Sequence, residues 1–93
     1  DFTHIDDIVD GIVRCSDALL CGAVKGEIFE LGRGKNYSMN EVAAMFGDDY
    51  PKKYIDKRSG EYDVTLCDYT KANQYLGWKP TKNINDYIKE VIN

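Results

Sequence analysis

The first quarter of the chain carries an apolar stripe with helical spacing, and such a stripe has to be covered by other structure. Its members recur at intervals of three and four residues: Ile5, Ile8, Val9, Ile12, Val13, Leu19 and Leu20. This spacing predicts an amphipathic helix over about residues 6–21. Thr3 or Asp6 is expected to cap its start, and Gly22 to stop it. The remaining sequence must therefore provide a layer on which this helix packs.

Three shorter helices are predicted downstream from their capping signals. Ser38 and Glu41 have the spacing of a capping box, which opens a helix that ends at the next glycine. Asp68 can cap a helix over 70–76, and Asn83 can cap a last helix. The apolar positions of the last helix are Ile84, Tyr87, Ile88, Val91 and Ile92.

Strand signals are sparse. Residues 26–32 place large apolar residues between two glycines, which is typical of a buried strand, and residues 53–56 and 64–67 are shorter candidates. The polar stretch 57–63 is predicted to be a loop. We therefore predict an α/β fold that is mostly helical with a few short strands. Because one central strand and two marginal ones make a poor sheet, we expect the chain to be part of a larger fold.

Length and charge limit the function. The 93 residues allow one domain, so residues 1–93 are treated as a single unit. The net charge of −4 and the scattered basic residues argue against a nucleic-acid partner. No apolar run approaches the roughly 20 residues that span a bilayer, and no secretory signal is visible. Cys15, Cys21 and Cys67 lack pair spacing, which favours free thiols, a cytoplasmic location and no zinc site.

Two short matches to dehydrogenase motifs are better explained as local structure. Gly32 and Gly34 follow the predicted strand, but a capping box rather than a glycine opens the next helix, so a turn is favoured over a dinucleotide loop. Tyr75 and Lys79 have the Tyr-x-x-x-Lys spacing, but Gly77 lies between them and Pro80 follows, so the pair cannot share one helix. We interpret the second match as chance.

Two other places hold residues capable of chemistry. Arg58-Ser59-Gly60-Glu61 combines a planar fork that binds phosphate, a glycine that admits a ligand and a carboxylate that accepts from a sugar diol, although a solvated loop has the same composition. His4 lies among Asp1, Asp6 and Asp7, where acid–base work is one interpretation. A polar residue at a strand–helix junction is the other interpretation of His4.

Five segments, taken in order, resemble a known family. DFTHIDDI at 1–8 resembles (R)DF-x-(Y/H)-(V/I)-x-D-(V/I), EIFELGRG at 27–34 resembles x-(V/I)-(Y/F)-N-(V/I)-G-S-G, and SMNEVA at 38–43 resembles S-(V/L)-x-E-(L/V)-A. RSGE at 58–61 resembles R-x-G-(D/E), and residues 68–80 resemble D-x-(S/T)-K-A-x-x-x-L-G-W-x-P. The family is the extended short-chain dehydrogenases/reductases, the NAD-dependent nucleotide-sugar epimerases and dehydratases. Glu30 and Arg33 depart from its pattern.

The resemblance implies the C-terminal, substrate-binding part of such an enzyme, most similar to the UDP-glucose 4-epimerases and not catalytic on its own. It implies that NAD binds to an N-terminal Rossmann domain that this chain lacks and would contact as a partner. The implied ligand is a UDP-sugar, with Arg58 on its diphosphate, Glu61 on its ribose hydroxyls and His4 near the substrate. It implies no catalytic residue, cofactor or metal in these residues.

Two alternatives remain open at the level of sequence. One is a freestanding binding or interaction module derived from the same family. The other is a small hydrolase that uses His4 and a carboxylate. In isolation the unpartnered apolar faces are expected to cause self-association or domain swapping.

Overall fold

The computed structural model describes residues 1–56 and 58–92, and in that part the chain forms four α-helices. They are α1 (Ile5–Leu20), α2 (Met39–Met45), α3 (Thr70–Leu76) and α4 (Ile84–Ile92). Lys57, which opens the predicted 57–63 loop, lies outside the described residues. All four predicted helices are confirmed.

The helix ends follow from local chemistry, with errors in the predicted caps of α1 and α3. The N-cap of α3 is Tyr69 rather than Asp68, although the Asp68 carboxylate accepts from the backbone N–H of Thr70 at 3.0 Å. Ser38 and Glu41 form the expected reciprocal capping box at the start of α2. The cap of α1 is His4, whose Nδ1 accepts from the backbone N–H of Asp6 at 3.0 Å, and not Thr3 or Asp6. Gly77 ends α3 with φ of +65°, a left-handed conformation that glycine adopts without steric penalty.

The predicted α/β fold is wrong, because residues 1–56 and 58–92 contain helices and no strand. The segments predicted as strands, 26–32, 53–56 and 64–67, are irregular in the structure. A strand exists only where its backbone groups pair with a neighbour, and the described part of this chain offers these segments no ladder. Composition indicated strands that the described residues do not pair among themselves.

The core sits where the segment after α3 crosses the start of α1. Trp78 is fully buried, and its Nε1 donates to the backbone oxygen of Asp7 at 2.8 Å. Gly11 permits this approach, because a Cβ there would lie 3.0 Å from Trp78 Nε1 and 2.6 Å from the side chain of Leu31. The crossing therefore depends on the absence of a side chain at Gly11 and on the large indole of Trp78.

The carboxylate of Asp7 fastens the same crossing from the other side. Asp7 is 5% exposed, and its oxygens accept from the backbone N–H of Thr81 at 3.1 and 3.2 Å and of Lys82 at 3.0 Å. The Thr81 hydroxyl donates to Asp7 Oδ1 at 3.1 Å. Hydrogen bonds to an ionised acceptor are stronger than neutral ones, so this carboxylate holds the 81–82 backbone firmly.

The molecule is a thin slab rather than a compact body. Its radius of gyration is 16.4 Å and its extents are 51 × 33 × 16 Å, whereas a compact domain of this length has a radius of about 12 Å. The accessible surface is 7328 Å², against about 5,500 Å² for a compact monomer of this mass. On α1, Val9, Ile12 and Val13 are half exposed or more. The apolar face that opened the sequence is thus largely uncovered by this chain.

Replacing Asp7 by Asn should lower the free energy of unfolding by about 2 kcal/mol, because two or more charge-assisted hydrogen bonds are weakened and an amide NH₂ then faces backbone N–H donors. Denaturant titration followed by circular dichroism measures the change. Asp17→Asn removes the same charge from an exposed site on α1 and should leave the stability nearly unchanged. Equal effects of the two variants would contradict the assigned role of Asp7.

The difference between wild type and Asp7→Asn should also depend on pH. Burial raises the pKa of Asp7, but hydrogen bonds from Lys82 and Thr81 and the charge of Arg33 outweigh it, so the folded-state pKa lies below the ordinary 3.8. The unfolded chain therefore takes up its proton first as the pH falls. The stabilisation is complete well above pH 3.8 and is lost as the pH drops through the folded-state pKa, so the two proteins should converge in acid.

The uncovered α1 face leads to a second prediction. The 93-residue chain alone should self-associate in sedimentation velocity at increasing concentration. Ile12→Lys, which places a charge in the middle of the exposed stripe, should shift the population toward monomer. A wild-type chain that remained monomeric across the range would show that this face does not drive association.

Candidate functional site

The loop that contains Arg58 and Glu61 folds into a tight turn. The backbone N–H of Glu61 donates to the oxygen of Arg58 at 3.4 Å, and Gly60 between them has φ of +85°. Open space surrounds a Cβ built at Gly60, so the backbone conformation and not the packing requires glycine there. The R-x-G-E spacing is therefore what brings the two side chains to the same side of a turn.

The side chains of this turn form an ion pair. Arg58 Nε lies 2.7 Å from Glu61 Oε1, and the Arg58 side chain is 78% exposed. The contact uses Nε, and exposure leaves the terminal nitrogens of the guanidinium accessible to a ligand. An exposed pair of this kind contributes at most about 1 kcal/mol to stability, so the turn does not need it to fold. The structure brings together the two residues that the sequence singled out.

Three cavities among the described residues lie elsewhere. The first, about 420 Å³, is lined by Gly34, Leu66, Cys67, Asp68, Tyr69, Thr70 and Asn73. An apolar groove of about 440 Å³ runs between the start of α1, α2 and α4, and a polar cavity of about 160 Å³ lies beside His4. Neither Arg58 nor Glu61 lines any of them. The candidate site is thus an open loop in this part of the chain rather than a closed pocket.

His4 has a structural task. Its Nδ1 accepts from the backbone of Asp6 and lies 3.8 Å from Asp6 Oδ2, and its ring meets Tyr87 edge-on at 5.2 Å. A nitrogen that accepts an N–H is not available as a donor, and it is unavailable as a general base while that bond is kept. His4 and the Arg58–Glu61 turn do not share a cavity. The geometry favours the helix cap over the hydrolase interpretation.

The Gly32–Gly34 turn does not fit a dinucleotide. The backbone N–H groups of Arg33 and Gly34, which could cradle a phosphate, donate instead to the carboxylate of Asp1 at 3.0 and 3.1 Å. The position that a pyrophosphate needs is therefore taken by an internal anion. Tyr75 and Lys79 do not share a helix, since α3 ends at Leu76. These residues thus give NAD neither a cradle nor a reacting pair.

Asp1 and Cys67 are features of this region that the sequence did not reveal. The carboxylate of Asp1 also accepts from the backbone N–H of Cys67 at 2.8 Å, although 66 positions separate the two residues. Burial, followed by the charges of Glu30 and Asp68, raises the pKa of the Cys67 thiol, which makes it a poor nucleophile. No spacing rule links positions this far apart, so only the folded chain shows the contact.

Two further expectations concern metals and membranes. In the residues that the structure describes, no group of three or more His, Cys, Asp or Glu side chains is placed to hold a metal ion. Over the same residues, none of the helices has the length and apolar character that crossing a bilayer requires. Cys15, Cys21 and Cys67 are unpaired, as expected.

Several curated relatives of the chain are named as UDP-sugar 4-epimerases. A UDP-glucuronate 4-epimerase from Thermodesulfobacterium geofontis is 32% identical over all of this chain and 29% of its own length. UDP-glucose 4-epimerases from Drosophila melanogaster and Bacillus subtilis are 33% and 27% identical over 97% and 92% of this chain. No family model and no solved structure matches the chain.

The matches cover only 26–29% of these relatives, so the chain spans little more than a quarter of their length. The chain resembles a C-terminal fragment of an extended short-chain dehydrogenase/reductase, as its motifs indicated. The partial matches support an epimerase-family origin, since these relatives are named as UDP-sugar 4-epimerases.

The role of His4 can be tested by substitution. His4→Ala should lower the free energy of unfolding by about 1 kcal/mol, because the N–H of Asp6 loses its acceptor. His4→Asn should retain most of the stability, since Asn is a favourable cap but has no imidazole. Thermal unfolding of the three proteins measures this. A loss of the same size in both variants would point to the Tyr87 contact rather than the cap.

Proposed function

We propose that this chain is the nucleotide-sugar-binding part of an NAD-dependent UDP-sugar epimerase, and that Arg58 and Glu61 contact the nucleotide. Arg58 holds the diphosphate and Glu61 accepts from the ribose hydroxyls. The observation that carries the proposal is the R-x-G-E turn, which places a guanidinium and a carboxylate 2.7 Å apart on an exposed loop. The names of the UDP-sugar epimerase relatives support the choice of ligand.

The chemistry of the pair suits a nucleoside diphosphate. A guanidinium presents parallel N–H donors that match two phosphate oxygens, and a carboxylate is an acceptor for the two hydroxyls of a ribose. A phosphate that binds Arg58 side-on, through Nε and one terminal nitrogen, displaces Glu61 from Nε. We therefore propose that ligand binding transfers Arg58 from Glu61 to the diphosphate and frees Glu61 for the sugar. The small contribution of an exposed ion pair makes this exchange inexpensive.

The catalytic part of such an enzyme is proposed to lie outside this chain. The chain corresponds to 26–29% of its relatives, and the turn at 32–34 is filled by Asp1. We assign NAD and the reacting groups to the remaining part of a relative-sized protein, which would also cover the open α1 face. No catalytic role is assigned to residues of this chain. The three unpaired cysteines support a cytoplasmic location for the whole protein.

Titration of UDP and of uridine into the protein as its gene encodes it tests the assignment. Arg58→Ala should weaken UDP about 10- to 100-fold and leave uridine unchanged, because only UDP carries the diphosphate. Glu61→Ala should weaken both ligands, because both carry the ribose. Isothermal titration calorimetry measures each affinity.

Lys53→Ala is the matched control, since it removes an exposed positive charge from the same segment. This variant should leave the UDP affinity within about twofold of wild type, because a distant, exposed charge is screened and has only a small effect. Unchanged UDP affinity in Arg58→Ala would refute the diphosphate assignment. An equal loss of UDP affinity in Lys53→Ala would show that the effect of Arg58→Ala is only a general attraction between charges.

A further inference from the structure

The carboxylate of Asp1 joins three distant segments of the chain. Its Oδ1 accepts from the backbone N–H of Arg33 at 3.0 Å and from the hydroxyl of Thr3 at 3.3 Å. Its Oδ2 accepts from the backbone N–H of Gly34 at 3.1 Å and of Cys67 at 2.8 Å. Both oxygens of the Asp1 side chain therefore accept from backbone N–H donors.

The contact with Cys67 lies at the root of the Arg58–Glu61 loop. A Cβ built on Gly32 would overlap Cys67 Cβ and lie 2.8 Å from its Sγ, so the Cys67 side chain packs directly against the Gly32 backbone here. Asn36 Nδ2 donates to the oxygen of Thr65 at 3.3 Å, two residues before Cys67. The segment that leads out of the loop is thus seated on residues 32–36.

The loop itself is exposed. The described residues from 58 to 66 are all exposed, and the Tyr62 and Val64 side chains are 86% and 72% exposed. Because this segment makes so few packing contacts of its own, the residues that anchor its two ends set its position. Asp1 fixes one of those ends through a charge-assisted bond, which is about twice as strong as a neutral one.

We propose that Asp1 is a positioning residue for the nucleotide-sugar site, acting through the Cys67 backbone on the placement of Arg58. The inference rests on the proposed function of Arg58. Asp1 touches no ligand in this scheme. It sets the root of the loop, and Arg58 reaches the diphosphate at lower entropic cost because the root is fixed.

Asp1→Asn in the protein as its gene encodes it tests the proposal. Whichever way the amide is turned, its NH₂ faces an N–H donor, at Arg33 in one orientation and at Gly34 and Cys67 in the other. UDP affinity should fall about 3- to 10-fold, and uridine affinity should fall by a smaller factor, because Glu61 lies on the same loop but only UDP carries the diphosphate that Arg58 contacts. Hydrogen exchange of a peptide covering 61–67 should accelerate, and that of α4 should not.

A double mutant separates positioning from general damage. If Asp1 acts through Arg58, then in the Arg58→Ala background Asp1→Asn should lower UDP affinity by no more than it lowers uridine affinity. Independent, additive losses, or a loss of uridine affinity as large as that of UDP, would overturn the proposal. If Arg58→Ala alone leaves UDP affinity intact, the proposed function fails first, and the inference that rests on it fails with it.

Two variants guard against a folding defect. Asn36→Ala removes the neighbouring contact to Thr65 from an exposed site, and it should weaken UDP in the same selective way if the root of the loop matters. Asp17→Asn removes an equal charge far from the turn and should change neither affinity nor exchange. A stable Asn36→Ala protein with wild-type UDP affinity and exchange would contradict the proposal.

Discussion

A carboxylate that accepts backbone N–H groups is the interaction on which this fold depends. Asp7 holds the 81–82 backbone against the start of α1, while the indole of Trp78 donates to the Asp7 backbone from within the same crossing. Asp1 does the same for residues 33, 34 and 67. In a sheet, neighbouring strands would satisfy such donors. In the described part of this chain, the side chains of Asp1 and Asp7 accept from such backbone N–H groups instead.

The sequence predicted what is decided locally. Capping residues, apolar spacing and terminal glycines predicted all four helices, with the caps of α1 and α3 assigned to the wrong residues. The strand prediction failed for a different reason. An apolar segment such as 26–32 has the composition of a strand, but a strand is a relation between two segments, and its partner is not among these residues. Composition carries no information about that partner.

The candidate site shows the same difference between features that are decided locally and features that depend on distant parts of the folded chain. Arg58 and Glu61 were identified from the sequence because a three-residue separation with an intervening glycine is sufficient to bring them together. Asp1 was not, because its partners are set by the folded path of the chain. Arg33 is a similar case, for it departs from the family's small residue at this position, and its Nη1 donates to the oxygen of Pro80 at 2.9 Å. This departure from the family pattern therefore has a structural use.

The 16 Å thickness of the slab has a thermodynamic consequence. An α-helix with its side chains is about 10–12 Å across, so a body this thin has room for little more than one layer and almost no interior. The heat capacity change and the denaturant sensitivity of unfolding both scale with the surface that folding hides. For this chain alone both would be small, and its melting would be spread over a wide temperature range. A sharp cooperative transition would require a further surface that packs against the apolar side of the slab.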